Sequence, residues 1–287
     1  MSHKDIIWLA SYPKSGNTWL RLFFEQYLME KFDLNKLLMS VGDDVSTRYG
    51  VGDGSDPRKL PIELQHLTRP MALLRLVKAF KGNKPVAGLP LFVKTHNANI
   101  VTNGVTLLPE QLTHATIHIV RDPRDIAVSF SKHLGVDIDK TIGYMEDKYR
   151  VLNAKQINAL KMDDFISSWR LHTKSFIEGD LINTRTFRYE DMIDNPVDTF
   201  SSILTHAGIE PDRVRVIAAL EAVALQKLRA REEKDGFIEA SHKNKSSFFG
   251  AGGSTWRDVL TLPQSRRIVR MADDVMRKLN YIERKVA

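Results

Sequence analysis

Three short strings hold side chains able to handle an anion and a proton. The first is Tyr12-Pro13-Lys14-Ser15-Gly16-Asn17-Thr18-Trp19. Lys14 brings a mobile positive charge, and Ser15 and Thr18 bring hydroxyl donors. Gly16 allows a tight turn whose backbone N–H groups can face an anion. A turn of this kind opening a helix is a ready phosphate site. The plain alternative is an ordinary strand-to-helix loop with a chance lysine. The lysine precedes the glycine, so the string is not the G-x-x-x-x-G-K-[ST] loop of nucleoside triphosphate enzymes.

The second string is Arg121-Asp122-Pro123-Arg124-Asp125, with Ser129 eight positions after Arg121. Arg and Ser together suit a second phosphate. The alternative is a surface Arg–Asp pair with a helix cap. The third is Lys94-Thr95-His96. A histidine placed at a strand end suits the role of general base toward an acceptor hydroxyl, although a lone histidine is more often structural. His114, His118 and His133 show no partner pattern and receive no role. No cluster of His, Asp and Glu has metal-ligand spacing, so no metal is expected.

Each string needs an element to position it. Ile6 to Ala10 is a short apolar run that reads as a buried strand. From Thr18 the period changes: Leu20, Phe23, Phe24, Tyr27 and Leu28 mark one face of a helix. The first unit is therefore strand, glycine-containing loop, helix. Further strands are expected at 91–95, 115–120 and 184–189. Helices are expected at 62–80, 122–134, 161–178, 197–207, 213–220 and 263–279. Asp122 and Pro123 supply an N-cap and a first-turn proline. Residues 42–58 are rich in Gly and Asp and read as an exposed loop. Residues 231–255 carry Gly, Ser and Lys with little period, and a loop of that length is usually functional or disordered. Strands alternating with helices argue for an α/β fold: a central parallel sheet flanked by helices on both faces, as one domain over 1–287. Arg121 then leaves the sheet at the edge where such folds bind ligands.

The chain has 287 residues, 43% of them hydrophobic and 27% charged, enough to bury about 75% of the unfolded surface without staples. The absence of cysteine excludes disulfides, thiolate metal sites and cysteine nucleophiles. No stretch approaches the roughly 20 apolar residues of a membrane span, and the N-terminus lacks a signal-peptide core. A soluble, cytoplasmic protein is expected. The net charge of +7 is explained either by a solvated basic surface or by an anionic ligand. No zinc-finger spacing or basic zipper region is present, so nucleic acid is not the expected partner.

Taken together, the strings resemble the PAPS-dependent sulfotransferase family of the cytosolic type (PAPS, 3′-phosphoadenosine-5′-phosphosulfate). Tyr12 to Trp19 is similar to the family's phosphosulfate loop YPKSGTTW, with Asn17 as the one departure. Arg121 and Ser129 resemble the 3′-phosphate-binding pair at the same separation. Lys94-Thr95-His96 resembles the family's KTH. Phe187-Arg188-Tyr189-Glu190-Asp191-Met192 resembles its YEDM segment, whose tyrosine lies near the nucleotide. The order along the chain is the family's. A late string, Phe248 to Arg257, resembles a degenerate RKGxxGDWK lid that has lost its Arg-Lys pair. Backbone N–H groups of Gly250, Gly252 and Gly253, or the charges of Lys243, Lys245 or Arg257, are alternatives for that lost grip.

The resemblance implies a P-loop-like α/β fold with a lid at about 231–255, PAPS as donor, PAP as product and no metal. It assigns His96 as catalytic base and Lys14 and Lys94 as charges near the transferred group. Lys14, Ser15, Gly16, Asn17, Thr18, Trp19, Arg121, Ser129, Tyr189 and Arg257 are the implied donor-binding residues, with Trp19 against adenine or packed in the core. The acceptor, a small molecule or glycoconjugate, is not readable. Its pocket would come from loops near 36–60, 80–90, 134–160 and 231–250, with Tyr144, Met145, Phe237 and Phe248 among the apolar candidates. The family's dimerisation motif is not evident, and a homo-oligomer stays open. Two rival readings are a P-loop-type small-metabolite kinase, which would need a Walker lysine and a Mg²⁺ carboxylate, and a non-enzymatic nucleotide-binding module.

Overall fold

The computed structural model describes residues 4–35, 40–42, 62–81, 84–152, 163–181, 183–237, 239, 248–249 and 255–283. In chain order the elements begin with β1 (Ile6–Ser11), α1 (Asn17–Met29), β2 (Ser40–Gly42), α2 (Ile62–Ala79) and β3 (Leu91–Thr95). A small hairpin, β4 (Val101–Thr102) and β5 (Val105–Thr106), precedes β6 (Thr113–Val120), α3 (Pro123–Leu134) and α4 (Ile138–Glu146). Next come β7 (Val151–Leu152), β8 (Asp164–Phe165), α5 (Trp169–Ile177), β9 (Thr184–Arg188), α6 (Tyr189–Asp194) and α7 (Pro196–His206). The chain closes with α8 (Arg213–Ala222), α9 (Leu225–Asp235), α10 (Trp256–Val259) and α11 (Leu262–Lys278).

The main sheet has the order β2-β3-β1-β6-β9, every neighbouring pair parallel. This is the α/β fold expected from the alternation of strands and helices. β1 is buried along its whole length, so both faces are apolar. Ile7 and Leu9 join a core with Leu20, Phe23 and Phe24 of α1 and with Phe200 and Ile203 of α7. Ile6, Trp8 and Ala10 point the other way, onto Leu73 and Leu76 of α2 and Phe176 of α5. That two-residue alternation places helices on both faces. Trp8 is fully buried, and its indole N–H donates to Thr113 Oγ1 at 2.9 Å across the sheet.

Three elements differ from the sequence reading. The helix expected over 161–178 is confined to α5. Ser168 caps it by accepting from the Leu171 N–H. Before it, Asn97 binds the Asp164 carboxylate at 2.7 Å and accepts from the Phe165 N–H at 2.9 Å, holding β8 extended against β7. Long-range hydrogen bonds thus override local propensity. The expected 231–255 loop begins inside a helix, since α9 runs to Asp235 before Gly236 at φ 73° ends it. Part of the expected 134–160 loop is helix α4, capped by Asp137. The expected exposed loop at 42–58 lies outside the described residues but for Gly42.

Candidate active site

The carboxyl ends of β3, β1, β6 and β9 lie side by side, because the sheet is parallel and Ala10 pairs with Thr95 while Ser11 pairs with Ile119. β3 and β6 flank β1 on opposite sides, with β2 and β9 beyond them, so the strand order reverses direction at β1, the kind of point where open parallel sheets bind ligands. The loop Tyr12–Gly16, His96, Arg121 and Tyr189 directly follow these strand ends, and Lys94 is the next-to-last residue of β3.

The loop is held in a conformation that few residues accept. Lys14 has φ 67° and Gly16 has φ 102°. A Cβ at Gly16 would sit 2.5 Å from Cδ2 of Tyr189, so glycine is required by both backbone and neighbour. Gly16 has no side chain to cap α1, which leaves the helix's first N–H groups for an anion. The Ser15 hydroxyl is buried and has no partner among the described residues.

His96 is half-buried on the β3 side of the loop. Its Nδ1 lies 2.7 Å from the carbonyl oxygen of Ser11 and 3.4 Å from the Ser11 hydroxyl. A carbonyl can only accept, so Nδ1 carries the proton and the lone pair falls on Nε2. Asn17 supports this clamp: its amide donates to the Leu9 carbonyl at 2.8 Å and to Ser11 Oγ at 3.1 Å. The Asn17 side chain therefore faces β1. The following residue, Asn97, fixes the chain beyond His96 through Thr95 and Asp164.

A cluster of cations lies beside the loop. Lys14 Nζ sits 3.7 Å from the centre of the Phe248 ring. Burial pushes the Lys14 pKa down to about 8, opposed by the carboxylate of Glu239 and aided by Arg121 and Lys94. Lys94 Nζ donates to Glu239 Oε1 at 3.1 Å. Thr18 Oγ1 donates to Glu239 Oε2 at 2.8 Å, and Arg21 Nη2 reaches both carboxylate oxygens at 2.8 and 2.7 Å. Burial alone would raise the Glu239 pKa, but Lys94 and Arg21 prevail and hold it well below the usual carboxylate range.

On the β6 side, Arg121 Nη1 donates to the Lys14 carbonyl at 3.3 Å, and its guanidinium lies 4.5 Å over the Tyr189 ring. Ser129 is half-buried two turns into α3. The neighbours Arg124 and Asp125 are taken up by structure. Arg124 binds Asp122 and the Tyr281 carbonyl under the Trp256 ring, and Asp125 accepts from the Thr255 and Trp256 N–H groups. Trp19 is only 7% exposed, packs against Phe200 and Tyr189, and donates to the Val223 carbonyl at 3.0 Å. The core-packing reading of this residue is the one its contacts match. Arg257 is exposed, with its guanidinium against Trp256. Met145 is fully buried among core residues, which is packing and not pocket lining. Lys243, Lys245, Gly250, Gly252 and Gly253 lie outside the described residues.

Three polar residues at the site carry no sequence signal strong enough to find them. Arg21 is an arginine on the buried face of α1, only 3% exposed. Glu239 falls in a stretch without period. His133 packs its ring edge-on to Phe248, and burial followed by the Lys14 charge lowers its pKa to about 4. A charged residue interrupting the apolar stripe of α1 was the one available hint.

A family profile described as the sulfotransferase domain matches residues 4–280. A search of curated protein sequences returns no significant match. Among solved structures, a mouse sulfotransferase complexed with PAP superposes with a TM-score of 0.59 at 18% identity, covering 96% of this chain and 86% of that one. A retinol dehydratase bound to retinol and PAP superposes with a TM-score of 0.63 at 16% identity, covering 96% and 82%. The same enzyme with androsterone and PAP gives 0.63 at 15% identity, covering 96% and 81%. At these identities the likeness is one of fold. Among the described residues no helix is long and apolar enough to cross a membrane, and no group of three or more His, Asp or Glu could hold a metal.

Proposed function

Since the chain belongs to the sulfotransferase domain family, we propose that it moves a sulfuryl group from PAPS to a hydroxyl or amine of a small acceptor by in-line displacement. The observation that carries this reading is the pairing of a tautomer-fixed His96 with a cationic anion cradle at one sheet edge. The cradle suits the donor on three counts: a turn that only Gly16 fits, a buried Ser15 hydroxyl without a described partner, and a carboxylate already seated on Thr18 and Lys94.

PAPS, when bound, supplies the sulfuryl group and a phosphate leaving group. The chain's part is binding, charge and proton transfer. Loop amides, Thr18 and Lys14 hold the 5′ end, and Lys14 offsets the charge that grows on the leaving oxygen. Arg121, fixed over Tyr189, and Ser129 hold the 3′-phosphate and so set the donor's line of approach. His96 accepts the acceptor's proton at Nε2 while Ser11 keeps Nδ1 protonated. Lys94 adds charge beside the transferred group. Lysines and amides take the place that Mg²⁺ has in phosphoryl transfer.

Calorimetric titration with PAP in metal-free buffer, beside ATP with Mg²⁺, tests the reading. Selective PAP binding is expected. A folded chain that ignores PAP rejects it, and one that prefers ATP with Mg²⁺ points to a kinase.

A further inference from the structure

Arg21 and Glu239 are not used by the proposed mechanism, yet they occupy its centre. Arg21 is almost fully buried, projects from α1 one turn after Thr18, and donates from Nη2 to Thr18 Oγ1 at 3.1 Å. Its Nε is buried without a partner among the described residues. Burying a guanidinium is costly unless its charge is met. Here the charge is met by a residue 218 positions away in sequence, the Glu239 carboxylate, which also takes Lys94 and Thr18.

Three features follow from that geometry. A carboxylate fits the Thr18–Arg21–Lys94 cradle, so the cradle is a formed oxyanion site. The seated group is part of the chain, so it competes with any free oxyanion. A sulfate or phosphate monoester has a further oxygen that a carboxylate lacks, while the buried Arg21 Nε–H still needs an acceptor.

The geometry points to an exchange site: Arg21 is a binding residue for the oxyanion of the ligand, and Glu239 is its built-in stand-in, displaced when that ligand enters. Two like charges cannot share this cradle, because close anions in a buried site repel strongly. Ligand affinity is therefore reduced by the fraction of molecules in which Glu239 is seated. The exchange deepens the PAPS reading, and in that reading the ligand is the phosphosulfate end of the donor.

The experiment uses the full chain and two probes, inorganic sulfate and PAP, in low-salt chloride buffer. Glu239→Gln keeps the shape and removes the competing charge. It is expected to bind sulfate and PAP at least about tenfold more tightly than the parent. Its melting temperature should fall without anion and recover with sulfate by mass action. Adding Arg21→Lys to that variant should remove most of the gain. Should Glu239→Gln not fold without anion, Glu239→Asp, whose shorter arm weakens the seat, is titrated in its place with the same expected direction. Sulfate affinity that is unchanged or weaker in a folded Glu239 variant overturns the exchange, even if PAP binds and the donor reading survives. A gain for sulfate with no PAP binding to either protein supports the exchange and overturns the donor reading.

Discussion

The Nδ1 atom of His96 lies 2.7 Å from the carbonyl oxygen of Ser11, across the β1–β3 pair. That contact decides which ring nitrogen holds the proton, and so which one can take another. It also ties the base to the strand that leads into the anion loop. Base and loop therefore share one rigid support.

Replacing His96 by Ala should lower kcat by about 10²–10⁴-fold while PAP affinity changes little, because the proton taken belongs to the acceptor. Turnover with labelled PAPS beside calorimetry with PAP checks this. Loss of PAP binding would show that the ring is needed for the shape of the loop.

Arg121→Ala should weaken PAP by about 1.5–3 kcal/mol, the range of a hydrogen bond to a charged group. Adenosine 5′-phosphosulfate lacks the 3′-phosphate and should lose far less. Equal losses for the two ligands would remove Arg121 from the 3′-phosphate. The guanidinium is held over Tyr189, so Tyr189→Leu should show part of the same selectivity.

The Lys14 pKa, pushed down to about 8 by burial, predicts a pH dependence. Anion binding favours the charged amine. Below about 8 the free protein already holds the proton, whereas above it the proton must be taken up on binding. PAP affinity should therefore fall as pH rises through that value, with proton uptake visible in calorimetry run in two buffers. Stability of the unliganded chain should move oppositely. Between about 8 and the unfolded value of 10.5 the unfolded state holds more protons, so unfolding free energy rises with pH. Lys14→Met should flatten both profiles.

Gly16→Ala places a methyl 2.5 Å from the Tyr189 ring at a backbone φ of 102°. Strain of this kind costs on the order of 1–3 kcal/mol. Urea unfolding should show at least that loss, or PAP affinity should drop if the loop shifts to relieve it. A variant with parental stability and affinity would mean the loop is looser than its geometry implies.

Asn17 departs from the resemblance that flagged the loop, and the structure gives the departure a task. Its amide binds Leu9 and Ser11, the residue that holds His96. Asn17→Ala should cost about 0.5–1.5 kcal/mol for each hydrogen bond lost to the Leu9 carbonyl and the Ser11 hydroxyl, and should lower kcat more than PAP affinity. Losses in stability alone would limit Asn17 to a structural role.

Much of this site was legible because its signals are local. A strand run, a glycine turn and a change to helical period fall within Ile6–Tyr27, and Asp122 with Pro123 marks the start of α3 where expected. Parallel pairing then places such strand ends on one edge, and it is the folded sheet that brings Lys14, His96, Arg121 and Tyr189 to that edge. The α5 boundary was not legible, because Asn97 reaches Asp164 and Phe165 from another part of the chain. The partnership of Arg21 with Glu239 was equally hidden. Neither residue sits in a motif, and a buried charge is paired by whatever the fold brings near it, since desolvation leaves it no other stable choice. The sequence by itself determined the elements, their order and the anion loop, which depend on short-range sterics and periodicity. Only the tertiary structure decided which charges neutralise one another in the crevice and which nitrogen of His96 keeps its proton.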